Sequence, residues 1–231
     1  MKTFCIGDIH GAYLALMQCL DLSGFDYAKD RLIVLGDVCD GYPQVHLCID
    51  ELLKITHCDY ILGNHDVWAL AWALKDEKPE FWITQGGRGT MDSYDHKSMP
   101  KAHVDFLNKA RLWLKVDNKV FVHGGFNAEL PLEDQGVEGF VWDRELIYGA
   151  WKKSQEDPGY RFGSFDEIFL GHTPVQNFQK SALPQQFCNV WDLDTGAGWS
   201  GPLTIMNIET KEYWQSAPTP ELYPGIKSRH V

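Results

Sequence analysis

Aspartate, histidine and asparagine stand beside glycine at five places in this chain. The segments are Gly7-Asp8-Ile9-His10-Gly11, Gly36-Asp37-Val38-Cys39-Asp40-Gly41, Gly63-Asn64-His65-Asp66, His123-Gly124-Gly125 and Gly171-His172-Thr173-Pro174. Carboxylate, amide oxygen and imidazole are donors for divalent cations, and glycine lets a loop turn sharply beneath a ligand. A lone Asp-Gly is ordinarily a turn, and a lone histidine a solvated side chain. Five such segments in this order offer enough donors for two ions.

The elements between them would bring those donors together. Thr3–Gly7 reads as a buried strand and Tyr13–Leu22 as a helix with Leu14, Met17 and Leu20 facing inward. Leu32–Leu35 is a second strand, Pro43 opens a helix carrying Val45, Cys48, Ile49, Leu52 and Leu53, and Tyr60–Leu62 is a third strand before a helix through Val67–Trp72. Such alternation predicts a mostly parallel sheet, with Asp8, Asp37 and Asn64 just past its C-terminal strand ends.

Residues 75–100 are polar, with Gln85-Gly86-Gly87-Arg88-Gly89-Thr90 at their centre, and read as an excursion over the site. Lys101–Ala110 reads as a helix. Leu112–Val116 and Lys119–Val122 form a hairpin delivering His123, Asp143–Lys152 is a helix, and Ile168–Leu170 is a strand leading to His172. Leu203–Ile208 pairs with Glu212–Trp214, and the hairpins of this half predict a second, more antiparallel sheet. The proline-rich end from Ala217 reads as a surface tail.

The 231 residues, 44% hydrophobic, suffice for one sizeable α/β domain, and no apolar run reaches the roughly 18 residues of a membrane span. The strand-like start leaves no signal peptide, and six scattered cysteines without a CxxC pair read as reduced thiols of a cytoplasmic protein. A net charge of −11 argues against nucleic acid and anionic membranes as partners.

The set GDIHG, GDVCDG, GNHD, HGG and GHTP resembles the calcineurin-like metallophosphoesterase superfamily, in the branch of Ser/Thr protein phosphatases, the lambda phage phosphatase and diadenosine tetraphosphatases. Asp194-Thr195-Gly196-Ala197-Gly198 is similar to that branch's last strand region. The resemblance implies an αββα two-sheet sandwich as a single domain over residues 1–216, with 217–231 as the tail. It implies that Asp8 and His10 bind one metal, that Asp37 bridges two, and that Asn64, His123 and His172 complete the second. Two ions about 3.5–4 Å apart would share a hydroxide for in-line attack on phosphorus. Manganese, iron or zinc suits the donors. His65 would be the general acid, oriented by Asp40.

Members of the protein phosphatase branch carry a phosphate-gripping arginine after the residue matched by Asp40, whereas this chain has Gly41. Arg144, in Trp142-Asp143-Arg144-Glu145, is the first replacement and Arg88 the second. The expected activity is metal-dependent hydrolysis of a phosphoric monoester, in a phosphoprotein or a small phosphoester. A dinucleoside polyphosphate hydrolase or small phosphodiesterase is the alternative enzyme, and a catalytically silent binding module the non-enzymatic one. Trp68, Trp72, Trp82 and Tyr94 read as core or subsite walls, with nucleotide stacking as the lesser option. His46, His57, His96, His103 and His230 read as non-ligands, and Glu129, Glu133, Asp134 and Glu138 as a solvated loop.

Overall fold

Period-2 burial on both faces organises the core. In β1 (Thr3–Ile6) and β2 (Arg31–Val34), Phe4, Ile6, Leu32 and Val34 face one hydrophobic cluster, while Cys5 and Ile33 face another. In β5 (Lys119–Val122) and β6 (Glu167–Leu170), Val120, Val122, Ile168 and Leu170 face a third cluster. Phe121 and Phe169 turn the other way, join the cluster of Cys5 and Ile33, and stack with centroids 4.9 Å apart. One cluster therefore lies between two sheets and one lies under helices on each outer side. This is the αββα sandwich, in a computed structural model that describes residues 1–228.

The first sheet runs β10-β9-β1-β2-β3 and the second β4-β5-β6-β8-β7. The parallel β1-β2-β3 unit is connected through α1 (Tyr13–Leu22) and α2 (Val45–Leu52), with β3 at His57–Tyr60. β3 begins before the expected Tyr60–Leu62. It is an edge strand, and its polar Asp59 accepts from Arg31 Nε at 2.8 Å, so an apolar run is not required there. The α1 face is also rotated from expectation: Ala15, Leu16, Cys19 and Leu20 are buried, and Leu14 is exposed. Leu53, expected on the inner face of α2, caps its C-terminal end and is likewise exposed.

β4 (Trp113–Val116) and β5 form the predicted hairpin. The hairpin of β9 (Thr204–Asn207) and β10 (Tyr213–Gln215) belongs to the first sheet instead, where β9 lies antiparallel on β1. The second sheet gains β7 (Gln185–Phe187) and β8 (Val190–Asp192), and β5, β6 and β8 in it are parallel.

After α3 (Asn64–Lys75) the excursion folds into α4 (Glu80–Trp82), a π-helical turn over Ile83–Gly87, and α5 (Arg88–Ser93), followed by α6 (Lys101–Asn108). α7 (Val137–Trp142) precedes α8, which spans Glu145–Glu156. α8 starts after Asp143 because that carboxylate accepts the N–H groups of Glu145 and Leu146 at 3.2 and 3.1 Å. The described part of the tail does not extend from the surface. It forms α9 (Thr219–Leu222), buries Thr219, and stacks Tyr223 on Tyr42 with centroids 4.4 Å apart. His230 lies outside the described residues.

Candidate active site

Each donor segment leaves a strand end. Asp8 and His10 follow β1, Asp37 and Asp40 follow β2, Asn64 and His65 open α3, His123 follows β5 and His172 follows β6. All eight side chains are buried. His10, Asp37, Asp40 and His172 adopt φ of 49°, 51°, 68° and 68°, the left-handed region that costs a non-glycine residue about 1–3 kcal/mol and recurs at functional sites. Two glycines press backbone onto the carboxylates: a Cβ at Gly63 would lie 2.0 Å from Asp37 Oδ1, and one at Gly171 would lie 2.1 Å from Asp8 Oδ1.

The imidazoles are pinned at Nδ1. His123 Nδ1 lies 2.7 Å from the Leu35 carbonyl and His10 Nδ1 lies 3.1 Å from that of Cys39, so each Nδ1 carries the proton and each Nε2 turns inward. His123 Nε2 sits 3.3 Å from Asp37 Oδ2 and 3.1 Å from Asn64 Oδ1. His10 Nε2 is 3.8 Å from Asp37 Oδ2 and 4.0 Å from Asp8 Oδ2. Asp8 Oδ2 accepts the His172 N–H at 3.0 Å. Asp8 Oδ1 and His172 Nε2, both buried, have no hydrogen-bond partner among the described residues.

Among the described residues, two sets of donor atoms each lie mutually within 4.8 Å: those of His10, Asp37 and His65, and those of Asp37, His123 and His172. Asp37 belongs to both. The first set contains His65 and omits Asp8, the reverse of the expected assignment. His65 already has Nδ1 on Asp40, while Asp8 offers an unused carboxylate oxygen beside the cluster. Orphaned donors, inward Nε2 atoms and a shared carboxylate fit divalent cations.

The electrostatics describe the same need. Burial raises the Asp8 carboxyl well above its usual range, and Asp194 adds to the shift. Burial pushes Asp37 up too, but His123 and His65 outweigh it and hold that carboxyl well below the usual range. Burial opposes charge on His123, yet Asp37 and Asp8 raise it to about 10. Burial, then His123 and Arg144, lower His172 to about 2. Protons occupy part of the place that cations would take.

His65 Nδ1 donates to Asp40 Oδ2 at 2.7 Å, and its ring meets Trp68 edge-on. A cavity of about 240 Å³ opens here, lined by Asp37, Asn64, His65 and His172 and walled by Trp68, Gln85, Trp142 and Arg144. Larger hollows exist, including one of about 520 Å³ beside Trp113 and Phe165, but they contain none of these donors. Arg144 thus joins the site; Arg88 is exposed on α5 and is not part of this lining. Trp72, Trp82 and Tyr94 are buried core residues, so of these four aromatic residues Trp68 alone walls the cavity, beside Trp142. Gly41 has φ 84° and gives its N–H to the Gly86 carbonyl at 2.9 Å. A Cβ there would come within 2.9 Å of the His10 carbonyl, which explains why no arginine stands at that position.

The sequence matches the calcineurin-like phosphoesterase family over residues 1–197. The chain belongs to that family. It is 37% identical over 285 residues to a symmetrical bis(5'-nucleosyl)-tetraphosphatase of Coxiella burnetii, covering 91% of this chain and 90% of the relative. It is 26% identical over 205 residues to serine/threonine-protein phosphatase 1 of Salmonella typhimurium, covering 88% and 90%. A crystal structure provisionally named a diadenosine tetraphosphatase shares the fold at TM-score 0.68 and 16% identity, covering 94% of this chain and 93% of that one. This calcineurin-like phosphoesterase is accordingly a hydrolase. Among its described residues no helix is long and apolar enough to cross a membrane.

Sequence reading gave no role to Thr90, quoted Asp66 only as the end of a motif, and took Trp82 for core or a subsite wall. Thr90 donates to Asp40 Oδ1 at 2.6 Å and Trp82 Nε1 to Asp40 Oδ2 at 2.8 Å. Asp66 accepts N–H groups from Asp37, Cys39 and Gly63. The only local signal was an acidic residue three positions after Gly63, where a helix N-terminus is capped.

Proposed function

We propose that the protein is a metal-dependent phosphoric monoester hydrolase resembling bacterial Ser/Thr protein phosphatases, acting in the cytoplasm on a phosphoprotein or small phosphoester. Asp8 and His10 hold one divalent ion, Asp37 is shared, and Asn64, His123 and His172 hold the other; manganese is the first choice, with iron or zinc suited to the same donors. Bound there, the ions supply Lewis acidity at the phosphoryl oxygens and an activated water. His65 gives its Nε2 proton to the leaving oxygen while Asp40 holds Nδ1–H. Arg144 pairs with a phosphoryl oxygen, and Arg88 is the weaker candidate. Residues 1–216 act as one domain.

The carrying observation is the convergence of Asp37, His65 and Arg144 on one cavity: a shared carboxylate, an imidazole and a cation around a single space. A manganese-loaded substrate panel tests it. The kcat/KM for an aryl monoester should exceed that for the matched diester by at least about tenfold. The second reading is dinucleoside polyphosphate hydrolysis, supported by the 37% identical tetraphosphatase relative and by the absence of the arginine at position 41. A dinucleoside tetraphosphate outperforming both an aryl monoester and a phosphopeptide would put that reading first. No turnover with any of them at full metal occupancy would favour a silent binding module.

A further inference from the structure

The glycine-rich centre of the excursion contributes nothing to the cation cluster, yet its small residues are tightly fitted. A Cβ on Gly86 would lie 2.7 Å from the Gly41 nitrogen, and one on Gly89 would lie 2.2 Å from the Gly41 carbonyl oxygen. A Cβ on Gly87 would lie 2.4 Å from the Trp82 indole. With Gly86 at φ 116°, the chain can bend only if these positions carry no side chain. The bend brings α5 and the end of α4 against residues 40 and 41, and two polar side chains reach the same target.

That target is Asp40, fully buried and in the left-handed region. Its Oδ1 accepts the Thr90 hydroxyl at 2.6 Å, and its own N–H donates to Thr90 Oγ at 2.8 Å. Its Oδ2 is shared by Trp82 Nε1 at 2.8 Å and His65 Nδ1 at 2.7 Å. A carboxylate held by one imidazole alone could rotate about its terminal bond. Here one hydroxyl fixes Oδ1 and the backbone, and an indole N–H fixes the second oxygen from outside the imidazole. We infer that Thr90 and Trp82 are positioning residues for the Asp40–His65 pair, fixing the carboxylate plane so that His65 presents Nε2 to the leaving oxygen. The excursion is therefore part of the proton-delivery apparatus as well as a cover. This rests on the proposed assignment of His65 as the acid.

The test uses the full chain loaded with manganese, a graded series of aryl phosphates and one alkyl phosphate. Thr90→Val and Trp82→Phe should each lower kcat on the alkyl phosphate by on the order of 10- to 100-fold, the size of a lost hydrogen bond to a charged group. The loss should shrink toward unity for nitrophenyl phosphate, with metal content and KM unchanged. Thr90→Ser, which keeps the hydroxyl, should restore most of the rate. In a His65→Asn background Thr90→Val should add no further loss, because both changes remove the same function. Losses equal across all leaving groups, loss of metal, or a full additional loss in the His65→Asn background would overturn the inference. Trp82→Phe keeps the ring's bulk near the core and decides the matter even if Thr90→Val does not fold. If His65→Asn itself shows no leaving-group dependence, the acid assignment fails. If His65→Asn shows it and both single variants do not, only the present inference fails.

Discussion

Asp66 Oδ2 accepts the backbone N–H of Asp37 at 3.0 Å, so one buried carboxylate holds the loop that carries another. The same oxygen accepts the Gly63 N–H at 3.0 Å and the Tyr60 hydroxyl at 2.7 Å, and Oδ1 accepts the Cys39 N–H at 3.2 Å. Burial and then the charge of Asp37 raise its pKa to about 6. Asp37 belongs to both donor sets, so a disturbance at Asp66 reaches both. Asp66→Asn turns one of the two acceptor oxygens into a donor facing backbone N–H groups. It should weaken metal retention by on the order of tenfold, and Asp37→Asn should weaken it more. Metal content after dialysis against graded chelator measures this. Wild-type retention in Asp66→Asn would show that the loop holds without it.

Arg144 lines the cavity that holds Asp37 and His65, and Arg88 stands outside that lining. Arg144→Ala should lower kcat/KM by about tenfold or more, mostly through KM for a monoester dianion. Arg88→Ala should change it by less than about twofold. Steady-state kinetics on one aryl monoester suffices. A silent Arg144→Ala beside a damaging Arg88→Ala reverses the assignment and makes the excursion the phosphate clamp.

The donor loops were legible because each carries its Asp, His or Asn within a few residues of glycine, although the carboxylates that Gly63 and Gly171 touch, Asp37 and Asp8, belong to other loops. α1 was legible in extent, but its buried face was not, because Leu14 sits where a leucine reads as core and Ala15 and Cys19 fill the space instead. β7 and β8 are three residues each, too short to show a period. The placement of β9 on β1 joins residues about 200 positions apart, which no window reveals. The same limit hid the hydroxyl that holds Asp40. Thr90 lies 50 positions from Asp40, and nothing near either residue names the other.

Burial raises the thiols of Cys5, Cys39 and Cys48 well above their usual range and those of Cys19 and Cys58 to about 12. All are protonated at neutral pH, and a protonated, buried thiol is neither a nucleophile nor a target. Native protein treated with iodoacetamide at pH 7 should keep its turnover, with modification confined to the half-buried Cys188. All six thiols should react after unfolding. Rapid alkylation of Cys39 with loss of activity would show that the Asp37–Gly41 loop opens, or that a cysteine takes part in the chemistry.

Metal loading should release protons. In the metal-free chain His123 is raised to about 10 by Asp37 and Asp8 against the effect of burial, so at pH 7 it carries a proton on the nitrogen a cation needs. Asp8, raised well above the usual carboxylate range by burial and Asp194, also resists ionisation. Each cation must displace these protons, so affinity tightens as pH rises toward about 10 and weakens as pH falls. A site whose ligands were already deprotonated would instead show little effect of pH in this range. Calorimetric titration of the chelated protein with manganese, in buffers of different ionisation enthalpy, counts the protons released. Asp37→Asn removes the first of the charges holding the proton on His123, so it should lower the proton count along with the affinity. A binding enthalpy independent of buffer at pH 7 would mean that His123 is already neutral before the metal arrives.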